Sequence, residues 1–230
     1  GTGTLTLTGS ALVSVYQTAL RSVTYANTSE NPNTAARTVT WVVNDGSLPS
    51  VGATSTINVA AVNDAPMVNA PATVTVQQGA TLAFTGGNAL SIADVDAATG
   101  TISVTLAATN GTVTTGTPAG GTLAGNGTAT VTITGTVSAI NTALGSAVFT
   151  AGTAGSASLQ ITVNDNGNTG NGGPLTGSKT VAITVTPVST GPFVINGTSG
   201  NDVIRVEELA GGVIKVTKNG VVSQQTLLPA

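Results

Sequence analysis

Thr130-Val131-Thr132-Ile133-Thr134-Gly135 repeats a stretch near the start of the chain, Thr4-Leu5-Thr6-Leu7-Thr8-Gly9. In both, apolar residues alternate with threonine, which puts apolar groups on one face of a pleated strand and hydroxyls on the other. Three more blocks follow in the same order. Thr18-Ala19-Leu20 with Ser22 matches Thr142-Ala143-Leu144 with Ser146, and Tyr25 then stands against Phe149. Val39-Thr40-Trp41-Val42-Val43-Asn44-Asp45 matches Leu159-Gln160-Ile161-Thr162-Val163-Asn164-Asp165, and Ile57-Asn58-Val59 matches Ile183-Thr184-Val185. Agreement in one order makes an internal repeat.

The two copies are unequal. The second runs from about residue 67 to 188, whereas the first holds only the last half of the same unit. Residues from 67 to about 124 have no counterpart upstream. Half a sandwich leaves a sheet face and several strand edges without partners. The first copy is therefore expected either to be cut from a longer chain or to be completed by strands of a neighbouring subunit. A start at Gly1 without methionine is expected of a processed product or a fragment.

Composition narrows the class. Charged residues make up 7% and aromatics 3%, but 40% of residues are apolar, enough for a core. Valine and isoleucine alternating with threonine belong to half-buried strands, so the expected fold is all-β. There is no cysteine and no histidine. Stability must come from packing or a metal rather than disulfides, and the commonest general base and transition-metal ligand are missing. With a formal charge of −3 and six scattered basic residues, the chain has no basic stripe for nucleic acid. No apolar run approaches the length of a membrane span, so membrane insertion is not expected.

In the full copy, strands are expected at 73–76, within 82–92 (broken near Gly86-Gly87), 101–107, 112–115, 128–134, 147–150, 158–163 and 180–186. Asn110-Gly111 reads as a hairpin turn. Val137, Ile140 and Leu144 recur at helical spacing, as do Leu12, Tyr16 and Leu20. Trp41 shares strand parity with Val39 and Val43, which reads as core. Short strands with turns between them predict a two-sheet sandwich of Ig-like type.

Ala61-Val62-Asn63-Asp64-Ala65-Pro66 marks the junction, since Pro66 interrupts a hydrogen-bonded ladder and extends the residue before it. Three segments result: 1–66, the C-terminal half of a sandwich; 67–188, a complete sandwich; and 189–230, a linker with a small β element. In the last, a strand over 203–206 precedes a hairpin of 213–217 and 221–224 through Asn219-Gly220.

All six aspartates fall in expected loops. The loop holding Asp94 and Asp96 and the loop holding Asp165 lie at one pole of the complete sandwich, where Asp64 and Asn63 arrive from the linker. Carboxylates gathered there repel unless a counter-ion is present. Oxygen-only ligands on loops favour calcium. The expected calcium ligands are thus Asn63, Asp64, Asp94, Asp96 and Asp165, with Asp45 and Asp202 as weaker candidates. The alternative for each aspartate is an Asx-turn or a strand terminus.

Leu5-Thr6-Leu7-Thr8-Gly9, the run from Tyr16-Gln17 through Leu20-Arg21-Ser22-Val23-Thr24-Tyr25 to Asn27-Thr28-Ser29, Val43-Asn44-Asp45-Gly46 and Val62-Asn63-Asp64-Ala65-Pro66 resemble the bacterial cadherin-like repeats of giant secreted and surface proteins. The likeness is close over 1–66 and looser over 67–188. It implies tandem Ig-like sandwiches, calcium at module junctions, a bacterial surface or secreted location, and a stalk-like, adhesive or matrix role. The second linker, Thr186-Pro187-Val188-Ser189, departs from that pattern and carries no acid. The run from Gly197-Thr198-Ser199-Gly200 to Asn201-Asp202-Val203-Ile204 resembles one haemolysin-type calcium nonapeptide, with Thr198 in place of a glycine. Such repeats bind metal by stacking, so a single copy is expected to be a plain turn.

No enzyme is expected. Asp94 and Asp96 could form a glycosidase pair, but the aromatic platforms of sugar clefts are missing. No nucleophile has a histidine to activate it. The expected role is a calcium-stiffened structural or adhesive module of a large extracellular protein. The alternative is a filament or surface-layer subunit assembled by strand complementation. Expected partners are neighbouring modules or identical subunits, with cell-surface or matrix ligands beyond them.

Overall fold

The structure is a computed structural model describing residues 3–188, 199–209 and 213–226; the expected linker over 189–198 and the first residues of the Gly197-Thr198 motif lie outside them. The chain divides into two compact units, Gly1–Val62 and Asn63–Ala230. Asn63 and Asp64 thus belong to the second.

The first unit keeps only what its own residues can pair. It has one helix, α1 (Val13–Arg21), and two antiparallel strands, β1 (Arg37–Trp41) and β2 (Ala53–Ile57). No described side chain between residues 3 and 62 is buried. Trp41, expected in a core, is half-buried, and its indole N–H donates to Ser55 Oγ at 2.9 Å. A single two-stranded ribbon has no second sheet to close over it, which is the physical reason for that correction.

The second unit is predominantly β. Its elements run β3 (Met67–Asn69), β4 (Thr73–Gln77), β5 (Thr81–Ala83), a 3-10 turn at Gly86–Asn88, β6 (Ser91–Ala93), β7 (Ile102–Thr109), β8 (Gly111–Thr114), β9 (Thr122–Ala124) and β10 (Thr130–Gly135). Then come α2 (Val137–Leu144), β11 (Val148–Ala151), β12 (Gly155–Asn164) and β13 (Thr176–Thr186). A six-stranded sheet has the order β4-β13-β12-β7-β10-β9, a three-stranded sheet the order β5-β11-β8, and β3 pairs with β6. Alternation now does its work. Ile102, Val104 and Leu106 of β7, Val131 and Ile133 of β10, and Leu159, Ile161 and Val163 of β12 turn to one side. There they share a single core with Phe84, Val113 and Phe149. Helix α2 adds Ile140 and Leu144 to that core, and its first turn is capped by the Thr136 hydroxyl, which accepts from Ala139 N–H.

The two copies of the repeat agree in register. Val39 pairs with Ser55 in the first unit, and their counterparts Leu159 and Val181 pair in the second. Trp41 with Ala53 likewise reproduces Ile161 with Lys179. The connecting loop differs in length, yet the ladder does not slip.

Asn110-Gly111 is not a hairpin. Strand β7 pairs with β10 and β12, while β8 pairs with β11 in the other sheet, so the turn carries the chain across the core. Two anchors explain it. The Asn110 amide donates to the Thr153 carbonyl at 2.7 Å, and Gly111 lies so close to the Phe149 ring that a Cβ would stand 2.3 Å from it.

Strands β14 (Ile204–Leu209), β15 (Val213–Lys218) and β16 (Val221–Thr226) make the expected small antiparallel sheet. Asn219 and Gly220 both have positive φ (49° and 84°), the conformation a tight hairpin demands. Glu207 faces Lys215 across β14 and β15 and forms ion pairs with it and with Arg205. Among the described residues, no helix is long and apolar enough to cross a membrane.

Candidate metal centre

Three segments meet at one end of the core of the second unit: the incoming segment at 63–64, the loop 94–101 between β6 and β7, and the loop 165–175 between β12 and β13. The incoming segment is fastened first. Asn63 N–H donates to the Asn171 carbonyl at 2.9 Å, and its side-chain amide donates to Asp165 Oδ2 at 2.6 Å and to the Gly173 carbonyl at 2.9 Å. Asp64 N–H donates to Asp96 Oδ2 at 3.0 Å. The two loops are tied together by the Thr169 hydroxyl, which donates to the Asp96 carbonyl, and by the Asn168 amide, which donates to the Thr101 carbonyl at 2.7 Å.

Asp165 is buried, and both its oxygens are engaged. Oδ1 accepts from Gly167 N–H and Leu175 N–H, each at 2.8 Å, while Oδ2 accepts from Asn63. Burial alone pushes its carboxyl up, but the N–H groups of Leu175 and Gly167 and the Asn63 amide outweigh that and hold it below the ordinary range. The carboxylate organises the loop, and its charge is already met by donors.

Asp94 and Asp96 differ. Asp94 Oδ1 accepts from Asp96 N–H at 3.2 Å and Ala97 N–H at 3.0 Å, an Asx-turn that folds the loop back. Its other oxygen, Asp94 Oδ2, is buried with no hydrogen-bond partner, and so are Asp96 Oδ1 and Asn63 Oδ1. Burial pushes the Asp94 carboxyl up, and the neighbouring Asp96 carboxyl pushes it further, against the pull of the Ala97 and Asp96 N–H groups. A buried acceptor without a donor costs about 1–3 kcal/mol, more when charged. Three such oxygens beside the incoming segment call for a donor, a buried water or a cation.

The donor set is oxygen only and flexible, which fits a hard cation such as calcium better than zinc. Among the described residues, no three acidic side chains form a metal-ligating group. Any cation here would lean on two carboxylates, Asp94 and Asp96, supplemented by the Asn63 carbonyl and backbone oxygens. Asp165 stands behind Asn63, fixing which way its amide points. Asp64 contributes its N–H to Asp96, and its side chain is half-buried. An open groove between the Asp94 loop (Asp94, Val95, Ala98) and α2 (Val137, Ser138, Asn141) gives Asp94 a route to solvent.

The weaker candidates sit elsewhere. Asp45 is exposed, and its Oδ1 accepts from Ser47 N–H at 2.9 Å and Leu48 N–H at 3.2 Å, which holds its carboxyl low. That is the local half of the Asp165 arrangement without the Asn63 amide. Asp202 accepts from the Asn219 amide at 2.7 Å and lies 3.8 Å from the Lys218 ammonium, so it closes the hairpin of the small sheet.

Asn141 was not legible as a site residue. Its amide accepts from Ile92 N–H at 2.8 Å and donates to the Ile92 carbonyl at 2.9 Å, standing in for a strand beside β6. That locks the strand leading into Asp94. Only a polar residue on the otherwise apolar face of α2 hinted at it.

Compared with known proteins, the chain matches no protein-family model and no curated protein.

Proposed function

We propose that the second unit is a structural or adhesive module of a large bacterial extracellular or surface protein, in an Ig-like sandwich of cadherin-like type, stiffened by calcium where the chain arrives. The observation carrying this reading is the trio of partnerless buried oxygens, Asn63 Oδ1, Asp94 Oδ2 and Asp96 Oδ1, on the incoming segment and the loop beside it. A cation shared between them would tether residues 63–64 to the sandwich and remove the swivel at the junction. The absence of cysteine makes such a tether the available cross-link.

The test is thermal unfolding of the protein in calcium and in chelator. Sites of extracellular modules bind at roughly 0.1–1 mM. Calcium at a hundredfold excess over such a constant adds about 2.7 kcal/mol. The melting temperature of the second unit is expected to rise with calcium and to stop rising when Asp94 and Asp96 are both replaced by Asn. A melting temperature indifferent to calcium overturns the reading.

A second reading, a filament or surface-layer subunit whose first unit is completed by strands from a neighbour, is favoured by one observation: no described side chain of residues 3–62 is buried.

A further inference from the structure

We infer that the exposed apolar face of the first unit is the docking surface for one kind of partner, a polypeptide half-module built like residues 63–129 of this chain. The inference rests on the second reading only in taking the first unit as incomplete, and it is independent of the cation.

The repeat supplies the comparison. Leu5 is 67% and Leu7 40% exposed, whereas their counterparts Val131 and Ile133 are fully buried. Tyr25 is 48% and Val43 62% exposed, against zero for Phe149 and Val163. Backbone follows side chain. Residues 4–9 are not strand, although 130–135 with the same pattern are β10; residues 24–27 are not strand, although their counterparts are β11. The elements that do survive in the first unit find their partners locally, the helix within itself and β1 with β2.

What the second unit lays against those counterparts is therefore what the first unit lacks. β10 becomes a strand by pairing with β7 and β9, and β11 by pairing with β5 and β8. β7 also joins β12, antiparallel to both neighbours. The occupant must insert one uncharged strand between 4–9 and 37–41, antiparallel to each, with branched apolar residues at alternate positions. It must also bring shorter strands to flank residues 24–27. All of those strands lie within 63–129. A second copy of this chain would have to give up its own core to supply them, because its 63–129 already covers its 130–186. The small sheet is a poor substitute, since on β14 the positions alternating with Ile204 and Val206 continue to Glu208.

The test joins a second copy of residues 63–129 directly ahead of Thr4 in the full chain, in chelator. Amide hydrogen exchange over 4–9 and 24–27 is expected to slow about a hundredfold or more relative to the unextended chain, and Trp41 emission to shift to the blue. The same extension with V104D and L106D in the added copy should leave both readouts unchanged. Equal protection by the aspartate-bearing extension overturns the inference, as does fast exchange with the intact one. So does concentration-dependent protection of 4–9 in the unextended chain, which would make the occupant a second copy. Calcium-dependent melting of the second unit, read separately, is untouched by any of these results.

Discussion

The Asn63 side-chain amide donates to Asp165 Oδ2 at 2.6 Å, joining residues 102 positions apart, and it is this bond that turns the Asn63 carbonyl oxygen away from Asp165. Asn63 has two amide hydrogens and one oxygen; with the amide nitrogen committed to Asp165 and Gly173, the oxygen is left buried and unmatched. Asp165 acts on the candidate centre through Asn63.

Asp165→Ala removes the acceptor for three donors, two of them backbone, in a buried loop. A loss of about 3 kcal/mol or more is expected for the second unit. Asp45→Ala removes the equivalent turn on an exposed loop, where water can replace the lost acceptor, and should cost far less. Chemical denaturation of the two variants checks the contrast. The pH dependence has a definite sign. Because the folded carboxyl of Asp165 is depressed, its contribution is complete above the ordinary value of about 3.8 and is lost as pH falls through the lower folded value.

Asp94→Asn should change sign with the medium. In chelator the folded carboxyl is raised, so ionised Asp94 penalises the fold. That penalty is absent below about 3.8 and grows as pH rises through the folded value. Asparagine removes it, and the melting temperature at pH 7 should rise slightly. In millimolar calcium the same variant should melt below the parent. A variant less stable than the parent in both media would remove the argument from unmet charge.

Gly177 of β13 has no room for a side chain: a Cβ there would stand 1.9 Å from the Pro66 carbonyl oxygen. Gly177→Ala must push the 63–66 segment off the sheet edge. A cost of about 1–3 kcal/mol is expected, together with loss of the calcium-dependent rise in melting temperature, measured by calorimetry.

Asn141→Ala strips β6 of its side-chain partner and leaves Ile92 N–H and C=O without those bonds. About 2 kcal/mol should be lost, and exchange at the Ile92 amide should quicken.

Much of this was legible from alternation alone. The strands from β10 through β13, both helices and the final hairpin read correctly because each pattern finds the partner it needs within the described residues. Three features were not. Residues 4–9 carry a strand pattern yet form none, since a strand is a property of two segments and the second is missing. Asn110-Gly111 has hairpin chemistry, but the Phe149 ring and Thr153 lie outside the local window and redirect the chain. Asp165 looked like a ligand among others; the Asn-Asp pairs at 44–45 and 164–165 did signal an Asx-turn, but only the contact with Asn63 shows that its charge is spoken for.

The strands β4 and β13 lie side by side and run the same way, from Thr73 opposite Ala182 to Gln77 opposite Thr186. Backbone bonds close the ladder at each end, Ala182 N–H to Ala72 C=O at 2.9 Å and Gln78 N–H to Thr186 C=O at 2.8 Å. Pull the polypeptide taut and these two strands are dragged past each other lengthwise, so that the whole row must give way together instead of unzipping rung by rung. A domain wired this way resists stretching where a hairpin pulled from its open end would not.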